Sequence, residues 1–144
     1  MDTLRLGVIG LGMGRNHIAG FQSHPHAQVV AVSDLNPVLL AEIADKYNVP
    51  GRYATAEEML QAEKLDAVSI ATPNKFHKPL ALAAFQAGCH VLCEKPMAMS
   101  AAEGREMLAA SQKAGKRLMI NFSYRFSEQS TALKQQVESG ILGD

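Results

Sequence analysis

The chain carries no excess charge of either sign: 14 Lys and Arg balance 14 Asp and Glu over 144 residues. A neutral balance argues against nucleic acid or an anionic membrane surface as the main partner. Cysteine is scarce, with only Cys89 and Cys93 present. Three residues separate them, which fits neither a disulfide framework nor a zinc pair. Buried reduced thiols in a cytoplasmic protein are expected, and no metal site. No apolar run approaches the roughly 18 residues of a membrane span. The start, Met1-Asp2-Thr3-Leu4-Arg5, runs into a strand without a signal-peptide pattern. Solenoid repeats and low-complexity tracts are missing too. What remains is a chain with 47% hydrophobic residues, enough for a real core at the length of one domain.

Strand and helix signals alternate along it. Leu4 to Ile9 reads as a buried strand, followed by a glycine loop and a helix to about Phe21. Gln28 to Ser33 is a second strand; Asn36 then caps a helix with Pro37 at its first position, running towards Tyr47. Tyr53 marks a short third strand, and Thr55 and Glu58 have capping-box spacing. Ala67 to Ala71 is a fourth strand, and a helix from His77 to Ala87 is closed by Gly88. A strand around Val91 follows. Ser100 and Glu103 form a second capping box, opening a helix that Gly115 stops. Leu118 to Asn121 is a sixth strand, and an amphipathic helix over Thr131 to Glu138 ends at Ser139-Gly140. This alternation predicts βαβ units: an α/β, doubly wound, mostly parallel six-stranded sheet with right-handed crossovers and helices on both faces.

Four polar or glycine-rich segments fall at the carboxyl ends of these strands, the edge where an open α/β sheet binds its ligand. The first is Gly10-Leu11-Gly12-Met13-Gly14. Gly10 suits a tight turn, and Gly12 a place where backbone meets a pyrophosphate. The third position of a strict G-x-G-x-x-G is Arg15, with Gly14 one residue early. Either the turn is one residue shorter, or Arg15 points outward to phosphate or solvent. Asp34, 22 residues after Gly12, ends the second strand. A carboxylate there accepts both ribose hydroxyls and repels a 2′-phosphate, so NAD is preferred over NADP. In Thr72-Pro73-Asn74, Pro73 turns the chain across the sheet edge, and Thr72 and Asn74 present polar groups to ribose or diphosphate. His77 either contacts cofactor or caps its helix; His24 and His26, around Pro25, read as solvated.

The fourth segment is Glu94-Lys95-Pro96. Alone it would be a surface turn; its company makes it a candidate active-site segment. Lys95 has three candidate roles: donor to a substrate oxygen, partner of a developing alkoxide, or general acid. Glu94 either orients Lys95 or contacts ribose, and Pro96 fixes the turn, a cis bond being one way to do so.

These segments, together with Gly88 to Ala98 and Asn121-Phe122-Ser123-Tyr124-Arg125-Phe126, resemble the glucose–fructose oxidoreductase / inositol dehydrogenase family. The resemblance implies an NAD(P)-binding Rossmann domain over residues 1–121. Residues 122–144 would then be a connection and first helix, leading to a C-terminal α+β substrate domain that this sequence does not include. It also implies that Lys95 is catalytic and that Gly10, Gly12, Met13, Asp34, Thr72, Asn74, His77 and Glu94 line the NAD site, with Gly14, Arg15 and Pro73 beside them. Arg125 would approach substrate or cofactor. The implied function is hydride transfer between nicotinamide and a carbinol carbon of a carbohydrate-like substrate, in an enzyme that is a homo-oligomer at full length. Ser139 to Asp144 is similar to the family's Ser-Gly-x-x-Gly segment, where the second domain begins.

Two other classes compete. A non-catalytic dinucleotide sensor would keep the glycine loop and Asp34 without needing Lys95. An S-adenosylmethionine methyltransferase would explain Gly10-x-Gly12-x-Gly14, but it leaves Glu94-Lys95-Pro96 without a role. If a second domain covers this one, Phe122, Tyr124, Phe126 and Leu133 form an exposed apolar patch.

Overall fold

A computed structural model describes residues 3–141 and 143. Its elements follow in the order β1 (Leu4–Ile9), α1 (Leu11–Gln22), β2 (Ala27–Ser33), α2 (Pro37–Lys46), β3 (Gly51–Tyr53), α3 (Ala56–Ala62), β4 (Ala67–Ile70), α4 (His77–Gln86), β5 (His90–Glu94), α5 (Ala101–Ala114), β6 (Leu118–Asn121) and α6 (Glu128–Glu138). Single 3₁₀ turns precede α4 (Asn74–Phe76) and α6 (Ser123–Phe126).

The six strands form one sheet in the order β3-β2-β1-β4-β5-β6, and every pair is parallel. The chain winds outward from β1 to β3, then restarts at β4 on the other side of β1. The ends of β1 and β4 therefore flank the topological switch point, where connections leave in opposite directions and open a crevice. This is a Rossmann fold.

Two apolar clusters sandwich the sheet. One joins Leu6 and Val8 of β1 to Leu11, Ile18, Ile43 and Ala44 of α1 and α2. The other joins Ile9, Val68, Ile70 and Val91 to Met59, Ala84, Phe85 and Met107 of α3, α4 and α5. Alternation along the strands assigns most residues to a face. β2 departs from it: Leu6 pairs with Val29 and Gly7 with Ala31, so Val30 is an extra residue. Such a bulge locally upsets the alternation. Val30 and Ala31 accordingly fall in one cluster, while Val29 and Val32 fall in the other.

The caps are local chemistry made visible. Asn36 accepts from the N–H groups of Val38 and Leu39, and Thr55 and Glu58 close both arms of a capping box. At α5 only half the expected box forms: Ser100 accepts from Glu103 N–H, but the Glu103 carboxylate turns to Met99 N–H at 3.0 Å. The last helix starts earlier than its apolar pattern suggests, because Ser127 caps it by accepting from Ser130 N–H. Of the Ser139 to Asp144 segment, Leu142 and Asp144 lie outside the described residues.

Candidate functional site

The switch point is shaped by three glycines with three separate duties. Gly10 turns the chain out of β1 at φ +83°, and a Cβ there would lie 2.8 Å from the Ala71 carbonyl oxygen. The turn therefore sits directly against the strand β4 exit, and only glycine fits. Gly12 faces open space, its hypothetical Cβ meeting nothing within 4 Å. Gly14 is buried, and a Cβ there would sit 2.8 Å from Val8 Cγ1. It is the residue that lets α1 lie close on β1. The helix-packing duty of the third fingerprint glycine is thus met one residue early, and Gly14 does not line the groove. Arg15, next along α1, is exposed and also stands outside the groove.

Gly10, Gly12, Met13, Asp34, Thr72 and Pro73 come together around a groove of about 620 Å³, with Leu35, Phe76 and Leu80 among its apolar walls. Asp34 is anchored at its head: Oδ2 accepts from Leu11 N–H and Oδ1 from Asn36 N–H, both at 2.8 Å. Each carboxylate oxygen keeps lone-pair capacity for a further donor. Glu57 also lines the groove, and among the described residues no Lys or Arg does. The Thr72 hydroxyl is buried and has no hydrogen-bond partner among the described residues. A buried hydroxyl left unpaired costs free energy, so an orphan at the groove wall marks a place for a ligand's polar group. The start of α1, which has no capping side chain, adds a positive dipole end suited to an anion. A glycine backbone open to a phosphate, an anchored carboxylate for ribose, and an unpaired hydroxyl fit an adenine dinucleotide.

His77 corrects an expectation. It is completely buried, with Nε2 2.9 Å from the Thr72 carbonyl and Nδ1 2.8 Å from the Pro96 carbonyl. It ties the loop after β4 to the loop after β5 and does not face the groove. Asn74 and Lys95 are exposed along the same edge, outside the groove itself. The Lys95–Pro96 bond is cis.

Glu94 has the most elaborate surroundings. Its Oε1 accepts from Asn121 Nδ2 at 2.7 Å and His17 Nε2 at 3.0 Å, and its Oε2 from Lys95 N–H at 3.1 Å. Burial pushes this carboxyl up, but donation from Asn121, His17 and the Lys95 amide outweighs it. The net effect holds it below its usual range. On its other side, His17 Nδ1 lies 2.6 Å from Ser69 Oγ. His17 and Ser69 are absent from the sequence-based site. The signals existed: His17 follows Gly14 by three residues on the buried stripe of α1 that ends in Ile18, and Ser69 interrupts the apolar strand Ala67–Ile70. A polar residue on such a face needs a partner.

Arg125 lies elsewhere. It lines a separate hollow of about 350 Å³ at the β6 edge, with Leu118, Met119, Ile120, Phe122 and Phe126. Phe122, Tyr124, Phe126 and Leu133, expected in an apolar patch, are each 55–84% exposed.

Residues 4–122 match the model of an oxidoreductase family, NAD-binding Rossmann fold. The chain is 37% identical to D-glucoside 3-dehydrogenase of Escherichia coli K12, an alignment covering 99% of this chain and 41% of that protein. It is 38% identical to trans-1,2-dihydrobenzene-1,2-diol dehydrogenase of Mus musculus, over 99% of this chain and 44% of the relative. Among solved structures it superposes on scyllo-inositol dehydrogenase from Lactobacillus casei with bound NAD(H) and scyllo-inositol. There the TM-score is 0.91 at 27% identity, covering 99% of this chain and 43% of that one. The chain therefore spans less than half the length of each of these proteins.

Proposed function

The chain belongs to the oxidoreductase family with an NAD-binding Rossmann fold, and from that premise we propose that it is the cofactor half of a dehydrogenase acting on a sugar or polyol. The observation that carries this reading is the alignment, along one sheet edge, of the Gly10–Gly12 turn, Asp34, the unpaired Thr72 hydroxyl and the Glu94-Lys95-Pro96 loop. Asp34 would accept the ribose hydroxyls of a bound dinucleotide, the start of α1 would hold its pyrophosphate, and Thr72 would offer its free hydroxyl, all around the groove at the ends of β1, β2 and β4. The Glu94-Lys95-Pro96 loop after β5 would serve the nicotinamide half. Asp34 and Glu57, with no Lys or Arg among the described residues lining the groove, disfavour a 2′-phosphate.

When bound, the cofactor supplies the hydride acceptor. Lys95 holds the substrate oxygen with its ammonium and stabilises negative charge as the carbinol C–H pair departs. The hydroxyl proton passes to a base supplied by a second domain, as the family resemblance implies. Lys95 is exposed in this chain, so the ammonium becomes catalytically effective once a covering domain excludes water. The apolar surface around Phe122 and Tyr124 is suited to receive such a domain or another copy. Buried, unpaired Cys89 and Cys93 agree with a cytoplasmic setting.

Positioning of donor and acceptor is worth several kcal/mol and requires both halves of the site. The 144-residue chain is therefore expected to bind NAD while forming negligible NADH from inositols, glucose or glucosides, followed at 340 nm. Turnover by this chain comparable to that of a complete relative assayed alongside would overturn the division of labour.

A further inference from the structure

Ser69, His17, Glu94 and Asn121 come from four different elements, β4, α1, β5 and β6, and meet beneath the carboxyl edge of the sheet. The side chains of His17 and Glu94 are 8% and 14% exposed, and Ser69 is 1% exposed. The hydrogen bonds have one consistent direction when the His17 ring is neutral. A carboxylate only accepts, so Nε2 carries the proton given to Glu94, and Nδ1 accepts from the Ser69 hydroxyl. The order Ser–His–Glu invites a nucleophile reading, but burial of Ser69 leaves no route for a substrate to its oxygen.

The product of this chain of bonds is the placement of Glu94. With Oε1 taken by His17 and Asn121, Oε2 turns back to the Lys95 N–H and pins the start of the Lys95-Pro96 loop. A satisfied polar network of this kind rigidifies what it holds. Glu94 and Asn121 stand at the ends of β5 and β6, beyond β4 from β1 and β2, and none of the network's members lines the adenosine groove.

We propose that His17 is a positioning residue for the nicotinamide half of the cofactor site, acting through Glu94 on the Lys95 loop. This rests on the NAD reading above. The test compares two probes on the 144-residue chain: NADH, which reaches both halves of the site, and ADP, which reaches only the adenosine and pyrophosphate half. His17→Leu is expected to weaken NADH about tenfold, the scale of one lost hydrogen bond to a charged group, and to leave ADP within about twofold. His17→Gln, whose amide nitrogen donates to Glu94 in place of Nε2, is expected to recover most of the NADH affinity. Asn121→Leu removes the other donor to the same oxygen and is expected to show the same split, so the proposal is tested even where His17→Leu fails to fold. Unchanged NADH affinity in a folded His17→Leu or Asn121→Leu chain overturns the proposal. So does an equal loss for NADH and ADP, which marks a purely structural role. A folded wild-type chain that binds neither probe overturns the NAD reading itself.

Discussion

Gly10 and Gly12 stand two residues apart, and alanine should act on them in opposite directions. At Gly10 the backbone lies at φ +83°, and the new Cβ would approach the Ala71 carbonyl oxygen to 2.8 Å and Thr72 Cγ2 to 2.9 Å. The backbone conformation alone costs about 1–3 kcal/mol for a residue with a Cβ, and the contact with main chain adds to it. A total of about 2–4 kcal/mol is expected. At this chain length each kcal/mol moves Tm by about 3–4 °C, so Gly10→Ala should melt roughly 6–16 °C below wild type. Gly12 lies in the first turn of α1, with nothing within 4 Å of its Cβ position. Alanine there should stabilise by about 0.5–1 kcal/mol, chiefly by restricting the unfolded chain. Its methyl would nonetheless occupy the space through which a pyrophosphate reaches the backbone. Losing one hydrogen bond to a charged group weakens NAD about 10- to 100-fold. Thermal melts followed by circular dichroism, with calorimetric titration of NAD into the same samples, measure both. A Gly12→Ala chain that binds NAD like wild type, or a Gly10→Ala chain that melts with wild type, would refute the assignment of duties.

Two further outcomes follow from burial. Cys93 is fully buried and its thiol is pushed up to about 12, mainly by burial and further by the Glu94 charge. Cys89 is buried and raised as well, again chiefly by burial. Neither thiol should react with Ellman's reagent at pH 8 in the native chain, and both should react once it is unfolded; rapid native labelling would contradict the packing. Glu94 is held below its ordinary value of 4.5, so its contribution to stability is complete above that pH. It is lost as pH falls through the lower folded value. The Tm difference between wild type and Glu94→Gln should therefore shrink as pH drops from 6 to 3, and a gap that widens on acidification would reverse the sign.

The part of this fold that was legible in the sequence is the part written locally. Asn36-Pro37, Thr55 with Glu58, Gly88 and Gly115 all mark helix ends through contacts within a few residues, and the structure places helix ends at each. Strand ends are likewise local, which is why Gly10, Gly12, Asp34 and Thr72 could be put on one edge. What resisted reading depends on distant pairs. His17 meets Ser69 across 52 residues, Glu94 across 77 and Asn121 across 104. No spacing rule relates such positions. His77 was ambiguous for the same reason: its partners are the carbonyls of two loops brought together by the sheet. Gly14 was misplaced because motif spacing counts residues, whereas the helix needs room wherever α1 crosses Val8.

The central claim is that this sheet edge is an NAD site, and calorimetric titration of the folded chain with NAD, NADP and S-adenosylmethionine side by side tests it most directly. One saturable NAD site is expected, with weaker NADP, no S-adenosylmethionine binding, and loss of NAD binding in a folded Asp34→Ala chain. No NAD binding by a chain shown to be folded, or NADP binding as tight as NAD, would contradict it.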